Sequence, residues 1–259
     1  MDIRLDSQRA VVTGGAAGLG LVVAETLAGA GATTFVCDVD PVAVGALPSH
    51  LQGATVDVAE AEAVAAWLDP IAADGVDILV NNAGPAGPTA PVEEIDPAEW
   101  RKCVEAALSG QFYCARRVVP AMKAQGGGAI INITSTAGRM GMPNRSPYVA
   151  AKFGVVGLTK TWAMELGRNN IRVNAIAPGS IIGQRVDRVI GAHSRVEGIS
   201  LEVAHAMYVQ GTSMATFVTP QEVADLVLYL AGPSGRHVSG QVIGVDGHTE
   251  TLFPRFPRS

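Results

Sequence analysis

The chain of 259 residues lacks most marks of a specialised environment. Its three cysteines, Cys37, Cys103 and Cys114, stand at unrelated spacings that fit neither a disulfide framework nor a zinc site. They are expected to be reduced packing residues. No basic surplus exists either: the net charge is −5, and scattered Lys and Arg leave no electrostatic footprint for a nucleic-acid groove or an anionic membrane. No apolar run approaches the ~18 residues of a membrane span, and the first ten residues hold no apolar signal segment. His193, His205 and His248 have no metal-ligand spacing, so no metal is expected. Tandem repeats are absent, and the one low-complexity stretch is the glycine run at 126–128. These absences leave a soluble, cytoplasmic protein acting on a small molecule, with neither nucleic acid nor membrane as partner.

What is present is 48% hydrophobic and 17% charged, enough for one large core and too short for two comfortable domains. A single domain over residues 1–259 is expected. Short apolar runs at 10–13, 34–37, 78–80, 129–134, 172–175 and 241–245, bounded by Gly, Asn or Asp, read as strands. Between them, residues 19–28, 60–73, 97–124, 148–168 and 220–231 repeat apolar positions every three to four residues, as crossover helices do. The rhythm predicts a doubly wound parallel β-sheet in a three-layer α/β/α sandwich of Rossmann type. Residues 179–216 break it with two polar helical stretches, expected to form a lid over a substrate.

A glycine-rich turn, Gly14-Gly15-Ala16-Ala17-Gly18-Leu19-Gly20, follows the first strand and opens the first helix, so bare backbone can approach a pyrophosphate. Tight turns and close helix packing use glycines in the same way. Asp38, eighteen residues beyond Gly20, ends the next strand, where a carboxylate accepts hydrogen bonds from a ribose 2′-hydroxyl and repels a 2′-phosphate. Its other reading is a turn residue, as for Asp40 before Pro41.

Tyr148 and Lys152 are four residues apart, hence on one helix face. An ammonium beside a phenol favours the phenolate, which turns a weak base into a usable one near neutral pH. The same spacing is common in surface helices. Ser135 adds weight to the chemical reading, because it follows a strand at the sheet edge where doubly wound folds bind ligands.

Thr13-Gly14-Gly15-Ala16-Ala17-Gly18-Leu19-Gly20, Asp57-Val58, Asn81-Asn82-Ala83-Gly84, Ser135, Tyr148-Lys152 and Pro178-Gly179 occur in the order in which the short-chain dehydrogenase/reductase family carries them. Over roughly residues 5–248 the chain resembles that family's single-domain members. The resemblance implies an NAD-dependent oxidoreductase acting on a secondary alcohol, polyol or sugar-like substrate, or on the carbonyl in reverse, with hydride passed to the pro-S face. It further implies NAD binding by Gly14, Gly18, Leu19, Gly20, Asp38, Asp57, Val58, Asn82, Ala83, Gly84, Tyr148, Lys152, Pro178, Gly179 and Ile181. By the same resemblance Ser135 orients the substrate oxygen, Tyr148 exchanges its proton, and Lys152 holds the nicotinamide ribose and lowers the tyrosine pKa. A homotetramer is implied too. The aromatic tail at 253–258 is either covered by a neighbouring subunit or free.

Two positions depart from the pattern. Ala107 stands where many members carry a catalytic Asn, so an altered proton relay is expected; Gln111, one turn on, is either its substitute or a hydrogen-bonded polar residue. Gly183 stands where relatives often have a carboxamide-binding Thr. Arg139 and Arg145, close before Tyr148, raise a carboxylated or sulfonated substrate as an option, and Arg185 and Arg188 either meet an acidic substrate or are solvated. The rivals are an NAD-binding sensor or scaffold with little turnover, which Ala107 favours and the intact Ser135, Tyr148 and Lys152 oppose, and an NADPH-linked carbonyl reductase.

Overall fold

The computed structural model describes residues 3–249. Seven parallel strands form one sheet: β1 (Arg9–Thr13), β2 (Thr33–Asp38), β3 (Gln52–Thr55), β4 (Ile78–Asn81), β5 (Gly128–Ile133), β6 (Ile171–Pro178) and β7 (Val242–Val245), in the order β3-β2-β1-β4-β5-β6-β7. Alternation along the strands supplies both faces of the core. Val12, Val36, Ile78 and Ile131 pack against Val23 and Leu27 of α1 (Gly18–Gly29) and Val223 and Val227 of α9 (Pro220–Ala231). Their neighbours Val11, Leu79 and Ile130 turn the other way, onto Leu68 of α3 (Ala61–Ala73), Val118 of α5 (Gly110–Gln125) and Trp162 of α6 (Ser146–Leu166). Burial on both faces is why these strands read as continuous apolar runs, each buried Val, Leu or Ile contributing about 1.5–3 kcal/mol.

Three elements differ from expectation. β3, with the sequence Gln-Gly-Ala-Thr, was not anticipated: it is an edge strand with little burial, so it needs no apolar run. The five-residue α2 (Pro41–Gly45), which Asp40 caps by accepting from Val42 and Ala43 N–H, was also missed. The predicted helix at 97–124 is divided into α4 (Pro97–Val104), a π-helical turn (Glu105–Ser109) and α5, with Ala107 inside the π turn. As expected, residues 179–216 hold two helices, α7 (Gln184–Glu197) and α8 (Leu201–Gln210), joined by their own small core of Val186, Ile190 and Ala204. The tail at 253–258 lies outside the described residues.

Strand order reverses between β1 and β4, and at such a switch the loops leaving the two strands diverge and open a crevice. The loops after β1, β4, β5 and β6 carry Gly14, Asn82, Ser135 and Gly179 to this one edge.

Candidate active site

Along the crevice, the glycine loop is held from outside. Asn82 donates its side-chain amide to the carbonyls of Thr13 (3.0 Å) and Gly14 (2.9 Å), while Thr13 Oγ1 accepts the N–H groups of Asn82 (3.1 Å) and Ala83 (3.0 Å). Thr13, which heads the glycine-rich motif, is the hub of this brace. A β-carbon on Gly20 would lie 2.0 Å from the Gly14 carbonyl, so only glycine fits there. Ala17, the residue before α1, offers no side chain to the helix N-terminus, whose first N–H groups remain available to an anion. This bare cradle is of the form a pyrophosphate requires.

Asp38, at the end of β2, accepts from Ala16 N–H (3.2 Å) and Asp40 N–H (3.2 Å), which puts its carboxylate against the glycine loop. Asp57 accepts from Ala59 N–H (2.9 Å), and buried Val58 packs beneath Gly110 at the start of α5. Across the crevice, Pro178 pairs in register with Val245, Gly179 N–H donates to the Val245 carbonyl (2.9 Å), and Ile181 bridges Val218.

Ser135 begins a 3₁₀ turn after β5; its Oγ accepts from Ala137 N–H (3.1 Å), and its side chain hydrogen-bonds to Tyr148. Tyr148 lies in the first turn of α6, and Lys152, buried one turn later, donates Nζ to the Ile133 carbonyl (2.8 Å). Thr134 Oγ1 bonds the Lys152 carbonyl (2.8 Å), which pins this part of α6 to the end of β5. Lys152 Nζ is 5.6 Å and Arg145 Cζ 4.9 Å from the centroid of the Tyr148 ring. Burial alone would raise the Tyr148 pKa; Lys152, Arg185, Ser135 and Arg145 together outweigh it and leave the phenol below its ordinary value. Burial likewise pulls the Lys152 ammonium down, against the opposing pull of Tyr148.

Ala107 is fully buried next to Gly84: a β-carbon on Gly84 would lie 3.1 Å from the Ala107 β-carbon and 3.8 Å from Lys152 Nζ. Gln111 donates Nε2 to the Ala107 carbonyl (3.4 Å), but its buried Oε1 has no partner, so the reading of it as a satisfied polar residue holds for only half of its amide. The arginines separate into distinct roles. Arg139 pairs with Asp246 (3.2 Å), Arg188 bonds the carbonyl of Gln184 within its own helix, Arg185 donates to the Gly84 carbonyl (2.9 Å), and Arg145 is buried. The three cysteines are buried and free. Among the described residues no cluster of His, Cys, Asp and Glu could hold a metal, and no helix is long and apolar enough to cross a membrane.

Comparison with known proteins bears on this geometry. A family model described as short chain dehydrogenase matches residues 8–191. D-beta-hydroxybutyrate dehydrogenase of Rhizobium meliloti (strain 1021) is 35% identical over 255 residues, 93% of this chain and 98% of that protein. Cis-4-hydroxycyclohexanecarboxylate dehydrogenase of Sinomonas cyclohexanicum is 37% identical over 246 residues, 92% and 94% of the two chains. Among solved structures, NAD+-bound xylitol dehydrogenase aligns with a TM-score of 0.90 at 27% identity, covering 93% of this chain and 98% of that one. An actinorhodin polyketide ketoreductase with NADPH aligns at 0.86 and 34% identity, covering 93% and 96%. The chain belongs to the short-chain dehydrogenase/reductase family, nicotinamide-binding oxidoreductases that act on hydroxy and keto groups.

Proposed function

We propose that this enzyme is an NAD-dependent dehydrogenase of secondary alcohols. The observation that carries the cofactor choice is Asp38, whose carboxylate borders the glycine loop at Ala16 N–H (3.2 Å) and would repel the 2′-phosphate of NADP. Gly14, Gly18, Leu19 and Gly20 would hold the pyrophosphate, Asp57 and Val58 the adenine, and Asn82, Ala83 and Gly84 the sugar next to Lys152. Pro178, Gly179 and Ile181 would border the nicotinamide. Bound there, the cofactor supplies the acceptor for a hydride from the carbinol carbon.

The chain's own groups handle the proton. Ser135 turns its O–H from Tyr148 to the substrate oxygen, and the Tyr148 phenolate takes the hydroxyl proton as the C–H electron pair leaves. Lys152 keeps the phenol acidic. General base catalysis of this kind contributes about 10²–10⁴-fold. Helices α7 and α8 act as a lid that excludes water. Exposed Phe112, Phe153 and Met164, on α5 and α6, support assembly with further copies into a homotetramer, which sedimentation of the purified enzyme would test.

The decisive experiment is NAD- and NADP-linked oxidation of a panel of secondary alcohols by wild type, Asp38→Ala and Tyr148→Phe. Wild type should prefer NAD, Asp38→Ala should erode that preference, and Tyr148→Phe should lose turnover while still binding NADH. Tight NADH binding with no turnover on any alcohol or ketone would favour the sensor reading that Ala107 supports, and preference for NADP would overturn the cofactor assignment.

A further inference from the structure

Arg145 is 5% exposed, a costly position for a guanidinium without a counter-ion. Of the five N–H donors that an arginine carries, one is given to the Ala86 carbonyl (2.6 Å) and one, at 3.4 Å, to Thr89 Oγ1. Its Nε is buried with no partner. The group stacks 4.9 Å from the Tyr148 ring centroid, and Tyr208 of α8 lies within its electrostatic reach. Arg185, from the first turn of α7, and Lys152 act on the same phenol.

Three cations therefore converge on Tyr148, and among the described residues none of them has a carboxylate within ion-pair distance. Arg172, another part-buried arginine without a carboxylate, gives its donors to the carbonyls of Leu230, Gly235 and Ala231; Arg145 differs in keeping a buried Nε with no acceptor. Nor is Arg145 held simply to fill space, since a buried donor with no acceptor is costly and an apolar side chain would pack there without that cost.

We propose that Arg145, with Arg185 beside it, forms an anion subsite against Tyr148, and that the alcohol oxidised here carries a carboxylate a few bonds from its carbinol carbon. This deepens the secondary-alcohol reading and rests on it: it selects a hydroxy acid over a polyol or sugar. The donor capacity that Arg145 does not spend on Ala86 and Thr89 would turn to the carboxylate, while the hydroxyl of the same molecule reaches Ser135 and Tyr148. Arg185 travels with the lid, so the anion also gives α7 a reason to stay closed.

Binding of unreactive probes tests this separately from turnover. Butyrate and cyclohexanecarboxylate, each against its primary amide, are titrated calorimetrically into the wild-type enzyme saturated with NADH, then into Arg145→Met, Arg145→Lys and Arg185→Gln. Wild type should bind the carboxylates more tightly than the amides. Arg145→Met should weaken the carboxylates about 10- to 100-fold, the usual consequence of losing a charge-assisted bond, and leave the amides behind by little or nothing. Arg145→Lys should restore part of the difference. Arg185→Gln, a change at an exposed residue that cannot unfold the core, should reduce it. Equal binding of acid and amide by wild type overturns the proposal, and so does an acid-to-amide ratio that Arg145→Met and Arg185→Gln leave unchanged. Failure of NADH itself to bind would instead bring down the cofactor reading, so the two failures are distinguishable.

Discussion

Asn82 donates its side-chain amide to the Gly14 carbonyl 2.9 Å away, so the loop leaving β4 clamps the loop leaving β1. A second bond from the same amide reaches the Thr13 carbonyl at 3.0 Å. Asn82→Ala removes both, each contributing about 0.5–1.5 kcal/mol net. The melting temperature should fall by several degrees, at about 2–4 °C per kcal/mol for a chain of this size. Because the clamp shapes the pyrophosphate cradle, the dissociation constant for NADH should rise more than the KM for the alcohol. Fluorescence titration of NADH alongside a thermal melt checks both; an early melt with undiminished NADH affinity would show that the loop keeps its shape unaided.

The pH dependence follows from the charges around Tyr148. If Tyr148 is the base, as proposed, alcohol oxidation needs its phenolate, so kcat/KM should rise as pH climbs through the tyrosine pKa, and a lowered pKa brings that rise to lower pH than an isolated tyrosine would allow. Ser135→Ala and Arg185→Gln each remove a lowering influence, so both should move the rise to higher pH. Carbonyl reduction should show the opposite slope, since it consumes the protonated phenol. Profiles measured in both directions decide the matter: a limb that stays in place in both variants would mean that Lys152 and Arg145 alone set the phenol.

Much of this arrangement is legible in the sequence, and the illegible parts share a physical cause. Strands such as β4, buried on both faces, announce themselves through apolar runs, whereas β3, at the sheet edge, carries Gln, Gly and Thr and looks like loop. The π turn at Glu105–Ser109 keeps helical periodicity, so no local signal separates it from the helices around it. At the site, Ser135, Tyr148 and Lys152 are marked by spacing and by strand ends. Arg145 is marked by its place just before Tyr148, but its burial is not, being set by Ala86 and Thr89, more than fifty residues earlier in the chain. Thr13 heads the glycine-rich motif, but its bracing role is not legible, because both N–H groups it accepts come from the loop after β4.

Gln111 offers a test in which stability and chemistry pull apart. Its Oε1 is buried without a partner, and leaving such a group unsatisfied costs about 1–3 kcal/mol. Gln111→Met, similar in length and free of that oxygen, should raise the melting temperature by a few degrees. Ala107→Asn, one turn before Gln111, supplies the amide that the family resemblance implies at this position. We expect its turnover to exceed that of wild type, with an altered pH profile. If both are unchanged, the missing amide does not limit proton transfer in this enzyme.

Helix α7, part of the proposed lid, is tied to the segment before Tyr148 by a side-chain bond from Asn144 Nδ2 to Glu197 Oε1 at 2.8 Å. Asn144 also occupies the left-handed region at φ 62°, where a β-carbon is strained and glycine is not. Two substitutions separate these roles. Asn144→Gly keeps the backbone at ease and loses only the tie, so it should raise the KM for the alcohol and speed product release while leaving NADH affinity and melting temperature nearly unchanged. Asn144→Ala loses the tie and adds strain of about 1–2 kcal/mol, so it should show the same kinetic change and a lower melting temperature. Glu197→Gln retains an oxygen for Asn144 to donate to and should behave close to wild type. Steady-state kinetics and thermal melts of the three variants test the tie directly: if Asn144→Gly matches wild type in KM and product release, the bond does not govern access to the site.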